Sequence, residues 1–375
     1  MPTLADILDR MTVEGELYER LPDSSVRCYA CGHRCLIRPG KRGICKVRFN
    51  DEGRLRVPWG YVGALQCDPT EKKPFFHLLP GSDTLTFGML GCDFHCPYCQ
   101  NWVTSQAMRD PASEQAGAWP RPISPSDLVA YGLAMGAQVV GSSYNEPLIT
   151  SEWARAIFQD AAAAGLRCVY ISNGNATPEV LAYIGPSLSG YKIDLKSMRD
   201  KPYRQLGGVL QNVLDSIRMV HAAGLWLEVV TLIVPGFNDS DEELWDAARY
   251  LASVSPDIPW HVTAFHKDYK MTDPADTTAD TLVRAAEIGM EAGLHYVYAG
   301  NLPGRVGPYE NTVCPSCSEI LIERLGYVIL GYHLTESGAC PKCGTHIPGV
   351  WTDRPDDVRT GLEEDLFARR PRPVR

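Results

Sequence analysis

The sequence predicts an α/β fold: a partial (βα)6-type barrel with a small cysteine-rich appendage at its N-terminal end and a zinc-ribbon-like one at its C-terminal end. Three observations lead there. From about residue 84 to 300, short β-branched or apolar runs alternate with longer stretches of helical period, the pattern of repeated βα units around a parallel sheet. Eleven of the thirteen cysteines fall into three groups, one before this region, one at its start and one after it. Polar residues recur at the C-terminal ends of the strand candidates, where barrels carry their reacting groups.

The chain has 375 residues, 45% apolar and 22% charged, which is enough for a sizeable core. No window reaches the roughly 20 uninterrupted apolar residues of a membrane helix. The start, MPTLADILDR, lacks the charged-then-apolar pattern of a signal peptide, so a cytoplasmic protein is expected. A net charge of −9 implies no general affinity for nucleic acid or for an anionic membrane, and neither is expected as a partner. Between Arg27 and Arg56 the balance reverses, with Arg34, Arg38, Lys41, Arg42, Lys46, Arg48 and Arg54 against Asp51 and Glu52. These cations are read as surrounding a thiolate cluster and holding it deprotonated.

Seven strands are expected: TLTFGML (84–90), QVVGSSY (138–144), CVYISN (168–173), YKIDLK (191–196), LEVVTLIV (227–234), WHVTAF (260–265) and HYVYAG (295–300). Four helix starts are legible between them. Ser124-Pro125-Ser126-Asp127 precedes LVAYGLAMG, Ser151-Glu152 opens WARAIFQDAAAAG, Thr177-Pro178-Glu179 starts a third helix, and Ser240 to Glu243 starts a fourth.

After strand one, GCDFHCPYCQNW sets Cys92, Cys96 and Cys99 in C-x3-C-x2-C spacing. Three close thiolates can hold three irons of a [4Fe–4S] cube, and full protein ligation would take four. One iron is thus left open to a small molecule. After strand two come Tyr144-Asn145-Glu146-Pro147, and after strand three Ser172-Asn173-Gly174. Strand four ends in Asp194 and Lys196, which alternation puts on one face. Strand five carries Glu228 and Thr231, strand six carries His261 and Thr263, and His266 lies just beyond.

Cys28, Cys31, Cys35 and Cys45, spaced C-x2-C-x3-C-x9-C, suit either a closed zinc site or a second iron–sulfur cluster. Cys314, Cys317, Cys340 and Cys343 form two C-x2-C knuckles flanking 22 residues, close to a zinc ribbon, with a single rubredoxin-like iron as the competitor. Cys168 reads as a small buried hydrophobe in its strand, and Cys67 has no evident partner.

With these residues the sequence resembles the radical S-adenosylmethionine (SAM) superfamily, whose hallmark is the cysteine triplet. The resemblance implies a partial radical SAM barrel and SAM bound at the open iron, reductively cleaved to a 5′-deoxyadenosyl radical. Similarity to the glycyl-radical activases, such as pyruvate formate-lyase activating enzyme, implies SAM contacts from Asn145-Glu146, Ser172-Asn173, Asp194-Leu195-Lys196 and Phe265-His266. Where those activases have Asp before the Asn-Gly pair's neighbour, this chain has Ile171. The segments EKKPFFHLLPG, YNEP, VYAGN and NTVCPSC are similar to the radical SAM component of the AmmeMemoRadiSam system. That likeness implies Memo-like and AMMECR-domain proteins as companions.

The expectation is an enzyme that generates this radical and takes a hydrogen atom from a substrate, with Glu228, Thr231, His261 and His266 at the substrate end and a flavodoxin or ferredoxin as reductant. The alternatives are an activase acting on a partner protein and a non-catalytic metal-binding scaffold. The expected organisation is a cysteine-rich segment over 1–80, the barrel over 81–305, the zinc-ribbon-like module over 306–352 and a flexible tail over 353–375.

Overall fold

A computed structural model describes residues 2–361 and 372–373. All seven expected strands are present and follow one another in a parallel sheet: Asp83–Gly88, Val139–Ser142, Arg167–Ser172, Gly190–Asp194, Trp226–Ile233, Trp260–Ala264 and Val297–Gly300. We number them one to seven. Each crossover carries at least one helix, and the expected caps act as such. Ser124, Thr177 and Ser240 accept the N–H of the third helical residue of Pro125–Ala134, Pro178–Ile184 and Asp241–Val254. Leu210–Ala222 and Ala279–Glu291 complete the helical layer.

The sheet extends further than the sequence predicts. Ala64–Pro69 pairs antiparallel with strand one over six residues, and Arg372–Pro373 adds outside it. Residues 64–69 therefore belong to the barrel sheet and not to an N-terminal segment ending at 80. The remainder of the N-terminal segment is not separate either. Its Leu4, Leu8, Val26, Leu55 and Val57 join the same apolar core as Phe87, Trp153 and Ile193 of the barrel. Each fully buried side chain of this size contributes about 1.5–3 kcal/mol relative to exposure, so the segment is held by ordinary packing. A buried ion pair, Arg48 to Glu152, pins it to the helix Ser151–Ala163.

The C-terminal module is a three-stranded antiparallel sheet of Thr312–Val313, Ile320–Leu325 and Val328–Tyr332, with its tight turn at Gly326. It docks through EKKPFFHLLPG. His77 Nδ1 meets the Pro348 carbonyl at 2.8 Å and Nε2 meets the Tyr298 hydroxyl at 2.6 Å. Burial pushes the His77 imidazole down to about 4, so it is neutral here. Buried Arg324 caps the joint, donating to the Phe76 carbonyl at 2.9 Å. The first part of the expected tail is also docked: the Gly361 N–H donates to Ile329 and Arg359 pairs with Asp83. Residues 362–371 and 374–375 lie outside the described residues.

Candidate SAM and cluster site

Strand one ends at Gly88 and the chain turns sharply at Gly91. There φ is +94°, and a Cβ would meet Val47 Cγ1 at 2.7 Å and the Cys45 carbonyl at 3.1 Å, so only glycine fits. The cysteine loop that follows is pinned by its carbonyls. Arg109 Nη1 donates to Cys92 O at 2.7 Å and Phe94 O at 2.9 Å, and Gln106 also donates to Phe94 O. Phe94 and Tyr98 are buried, the latter against Phe237, which walls the loop from water.

Cys92, Cys96 and Cys99 all line one cavity of about 130 Å³. Cys99 Sγ lies 3.2 Å from Ser105 Oγ. Burial pushes Cys96 up to about 12, opposed by the nearby Lys196 cation. Such thiols become thiolates when a metal binds them. The triplet is not among the sets of ligand atoms that all lie within 4.8 Å of one another in the described residues. Among the cysteines, only these three line the cavity.

The turn after strand two supplies the facing wall. Tyr144 holds φ at +63°, and its carbonyl accepts the Thr104 hydroxyl at 2.7 Å. The Asn145 side chain is committed to this turn, accepting the Met89 N–H at 2.9 Å. Glu146 is buried and accepts from Ser172 Oγ at 2.7 Å, Asn173 N at 2.7 Å and Leu148 N at 3.2 Å. Burial and the Asp93 carboxylate nonetheless push it up to about 8. Thus Asn145, Glu146 and Ser172 shape the cavity's backbone, and Asn173 ties it to the cluster loop: its Nδ2 donates to Asp93 Oδ1 at 2.8 Å. Asn175 donates to Asp93 Oδ2 at the same distance. Asp93 was not singled out from the sequence, although it sits inside the cysteine motif.

Asp194 and Lys196 share a face as alternation requires, 3.0 Å apart. Lys192, two residues earlier, contacts the other carboxylate oxygen. Burial would raise Asp194, but the two lysines outweigh it and hold the carboxyl at about 2. Lys196 is held well above its ordinary value by Asp194 and Cys96 against burial. With two cations already on Asp194 and Ile171 opposite, this corner needs no metal ion, and Lys196 presents a positive charge to the cavity.

A larger cavity continues from this one toward strands five to seven. His261 lines it, and its Nε2 bonds Glu228 Oε2 at 2.6 Å. Three of the four residues expected at the substrate end, Glu228, Thr231 and His266, are not on its wall. Glu228 is fully buried beneath His261 and accepts the N–H groups of Phe76, His77 and Trp226 Nε1 at 2.9 Å each. All its acceptor sites are occupied, so it anchors the EKKPFFHLLPG segment. Thr231 is an odd number of residues from Glu228, faces the helical layer and accepts from Trp260 Nε1 at 2.9 Å. His266 is exposed at the rim, 3.0 Å from Gln100 Nε2 on the cysteine loop. The sequence reading missed Asp68, Lys72 and Lys73, which line the cavity from the segment before strand one. Lys73 Nζ lies 2.5 Å from Asp68, and burial lowers it to about 8.

The C-terminal cysteines have a different geometry. Their four ligand atoms lie within 4.8 Å of one another, with Cys314–Cys343 and Cys317–Cys340 sulfurs 3.6 Å apart. Zn–S bonds of about 2.3 Å in a tetrahedron place sulfurs about 3.8 Å apart. Ser318 and Gly344, the residues after each knuckle, both take positive φ. A serine therefore occupies the turn that suits glycine, and the knuckle survives it.

A barrel whose first strand delivers three cysteines to a cavity faced by strand-end Glu, Asn and Lys defines a class, and the comparisons agree: the chain belongs to the radical SAM superfamily, whose family model matches residues 87–251. It is 34% identical over 337 residues to the uncharacterized protein MJ0808 of Methanocaldococcus jannaschii, covering 89% of this chain and 98% of that one. It is 24% identical to the isethionate sulfite-lyase activating enzyme of Desulfovibrio desulfuricans over 38% of this chain and 45% of that protein. Among solved structures, a domain of a pyruvate-formate lyase-activating enzyme from Bacteroides vulgatus aligns at a TM-score of 0.39 and 20% identity, over 43% of this chain and 98% of that domain.

Proposed function

We propose that this chain reductively cleaves SAM at a [4Fe–4S] cluster held by Cys92, Cys96 and Cys99 and directs the resulting radical at a substrate in the larger cavity. The observation that carries this reading is the shared cavity: three sulfurs, the Tyr144–Glu146 turn, Asn173 and Lys196 border one space that opens into the second. When bound, the cluster supplies one electron and an open iron, and SAM supplies the sulfonium whose carbon–sulfur bond breaks.

The protein's own residues do the rest. Lys196, charged and buried, offers a donor to the carboxylate of the methionine moiety. Glu146 holds the turn after strand two against strand three. Phe94 and Tyr98 keep bulk water from the sulfurs. His261, supported by Glu228, and the Asp68–Lys73 pair give the substrate end its polar groups.

The substrate belongs to one of two classes: a small molecule, or a partner protein, as the isethionate sulfite-lyase activating enzyme is named for one. A flavodoxin or ferredoxin is proposed as the reductant, Memo-like and AMMECR-domain proteins as companions, and the cytoplasm as the location. No described helix is long and apolar enough to cross a membrane. We assign zinc to the C-terminal four-cysteine site on its single-ion separations.

Anaerobically reconstituted protein treated with dithionite and SAM is expected to yield 5′-deoxyadenosine and methionine in equal amounts, read by chromatography. Protein that holds about four irons and four sulfides per chain yet releases neither product would overturn the reading.

A further inference from the structure

We propose that Lys72, Asp68 and Lys73 form the anion site of the larger cavity, and that the substrate is a small molecule carrying a carboxylate or phosphate group. This rests on the function proposed above and narrows its two substrate classes to one.

All three residues line that cavity, which holds about 570 Å³ and falls within the size range of small-molecule sites. Asp68 is buried and takes Lys72 Nζ on one oxygen at 3.0 Å and Lys73 Nζ on the other at 2.5 Å. One carboxylate thus answers two cations. Among the described residues, each ammonium gives only this hydrogen bond of the three it can give. Lys73 is 6% exposed, so bulk water does not take up its remaining donors. An unmatched cation at that depth is costly. Burial lowers Lys73 to about 8 against the pull of Asp68, with Lys72 adding to the fall. An anion beside the two ammonium groups reverses that loss.

The same arrangement recurs in this cavity. Lys192 and Lys196 share Asp194, and there the extra positive charge is the one assigned to the carboxylate of SAM. A second such charge, carried by the segment before strand one, calls for a second anion, and the substrate is the molecule left to bring it. Other buried cations lack this excess. Arg48, which lines a separate pocket with Cys28, Cys31, Cys35 and Cys45, pairs with Glu152, and Arg324 lies over the Phe76 ring at 4.4 Å. Glu71, the remaining acid on the wall, accepts the Gly81 N–H at 2.6 Å and lies in the field of Arg324.

Position and enclosure fit a small substrate. The Tyr144 ring lies 5.6 Å from Lys73 Nζ, and the same residue borders the cavity of the cysteine triplet, so one side chain separates the anion site from the SAM end. Strands one and seven do not pair. The segment that pairs with strand one as Ala64–Pro69 runs on to pack Phe76 against Tyr298 of strand seven, with ring centroids 4.7 Å apart, and so spans the gap. The C-terminal module backs it, with Arg324 on the Phe76 carbonyl and Tyr327 on the cavity wall. A loop of a folded partner would have to displace both.

The test is calorimetric titration of anaerobically reconstituted protein, loaded with SAM and without reductant, with inorganic phosphate, malonate, and malonamide, the uncharged counterpart of malonate. Phosphate or malonate is expected to bind at one site per chain and malonamide is not; the tighter of the two anions identifies the group. Lys72→Ala, at the more exposed lysine, leaves the Lys73–Asp68 pair in place. It should weaken binding at least about tenfold, the loss of one charge-assisted hydrogen bond, and Lys72→Arg should restore most of it. Protein that binds neither anion, or binds them equally well after Lys72→Ala, overturns the proposal, as does binding of oligoglutamate with neither small anion bound. Anion binding by protein that never cleaves SAM leaves the site standing and removes the proposed function, and SAM cleavage without anion binding does the reverse.

Discussion

Replacing Cys96 by alanine is expected to lower 5′-deoxyadenosine formation to background and to remove about four irons and four sulfides per chain. Cys96 is the most buried of the triplet and the one closest in electrostatic effect to Lys196. With it gone, two thiolates remain for a cube that this loop is built to hold by three. The loop itself should persist, because Arg109 and Gln106 grip its carbonyls and not its sulfurs. The variant should therefore fold, keep the metal of its C-terminal four-cysteine site and lose chemistry alone. Full iron content with undiminished SAM cleavage would refute the assignment.

The second large effect is on stability. Glu228→Ala should destabilise the protein by about 3–5 kcal/mol, because it leaves buried donors with no acceptor. The N–H groups of Phe76, His77 and Trp226 Nε1 all converge on this carboxylate, and His261 closes the set. Since Phe76 and His77 also carry the dock of the C-terminal module, loss should appear as an earlier denaturation midpoint and easier release of that module's metal. SAM cleavage by the folded fraction should match wild type, because Glu228 does not border either cavity. Normal stability with lost cleavage would instead return Glu228 to the reacting centre.

That correction shows where the sequence was legible and where it was not. Strand runs rich in β-branched residues and capped helix starts carry their own local signal, which is why the seven barrel strands and four helices are found where patterning puts them. Leu210–Ala222 has no side-chain cap to announce it, and Ala279–Glu291 carries a Thr278 cap that the reading passed over. Ala64–Pro69 is joined to the barrel only by long-range pairing across a spacer, so no local pattern assigns it to the sheet.

The site divides in the same way. Cysteine spacing points to the ligands directly, because thiolate ligation is local. Placement at a strand end does not reveal how deep a residue lies. Glu228 lies two residues before Val230, the register partner of His261, so the first lies under the cavity while the second reaches it. Thr231, expected beside Glu228 at the substrate end, lies three residues from it, and strand alternation turns it the other way. Asp68, Lys72 and Lys73 enter from outside the predicted barrel, and their motif was recognisable only as a likeness.

The central claim is a cube held by three cysteines with one corner left for SAM. The most direct measurement is the electron paramagnetic resonance spectrum of dithionite-reduced, reconstituted protein with and without SAM, with the methionine carboxylate labelled by carbon-13 for detection of its coupling to the cluster. The account predicts that SAM shifts the signal of one cluster and that the label couples to it, in wild type but not in the Cys96→Ala variant. A spectrum that SAM leaves unchanged at saturating concentration, with every corner of the cube accounted for by protein ligands, would contradict it.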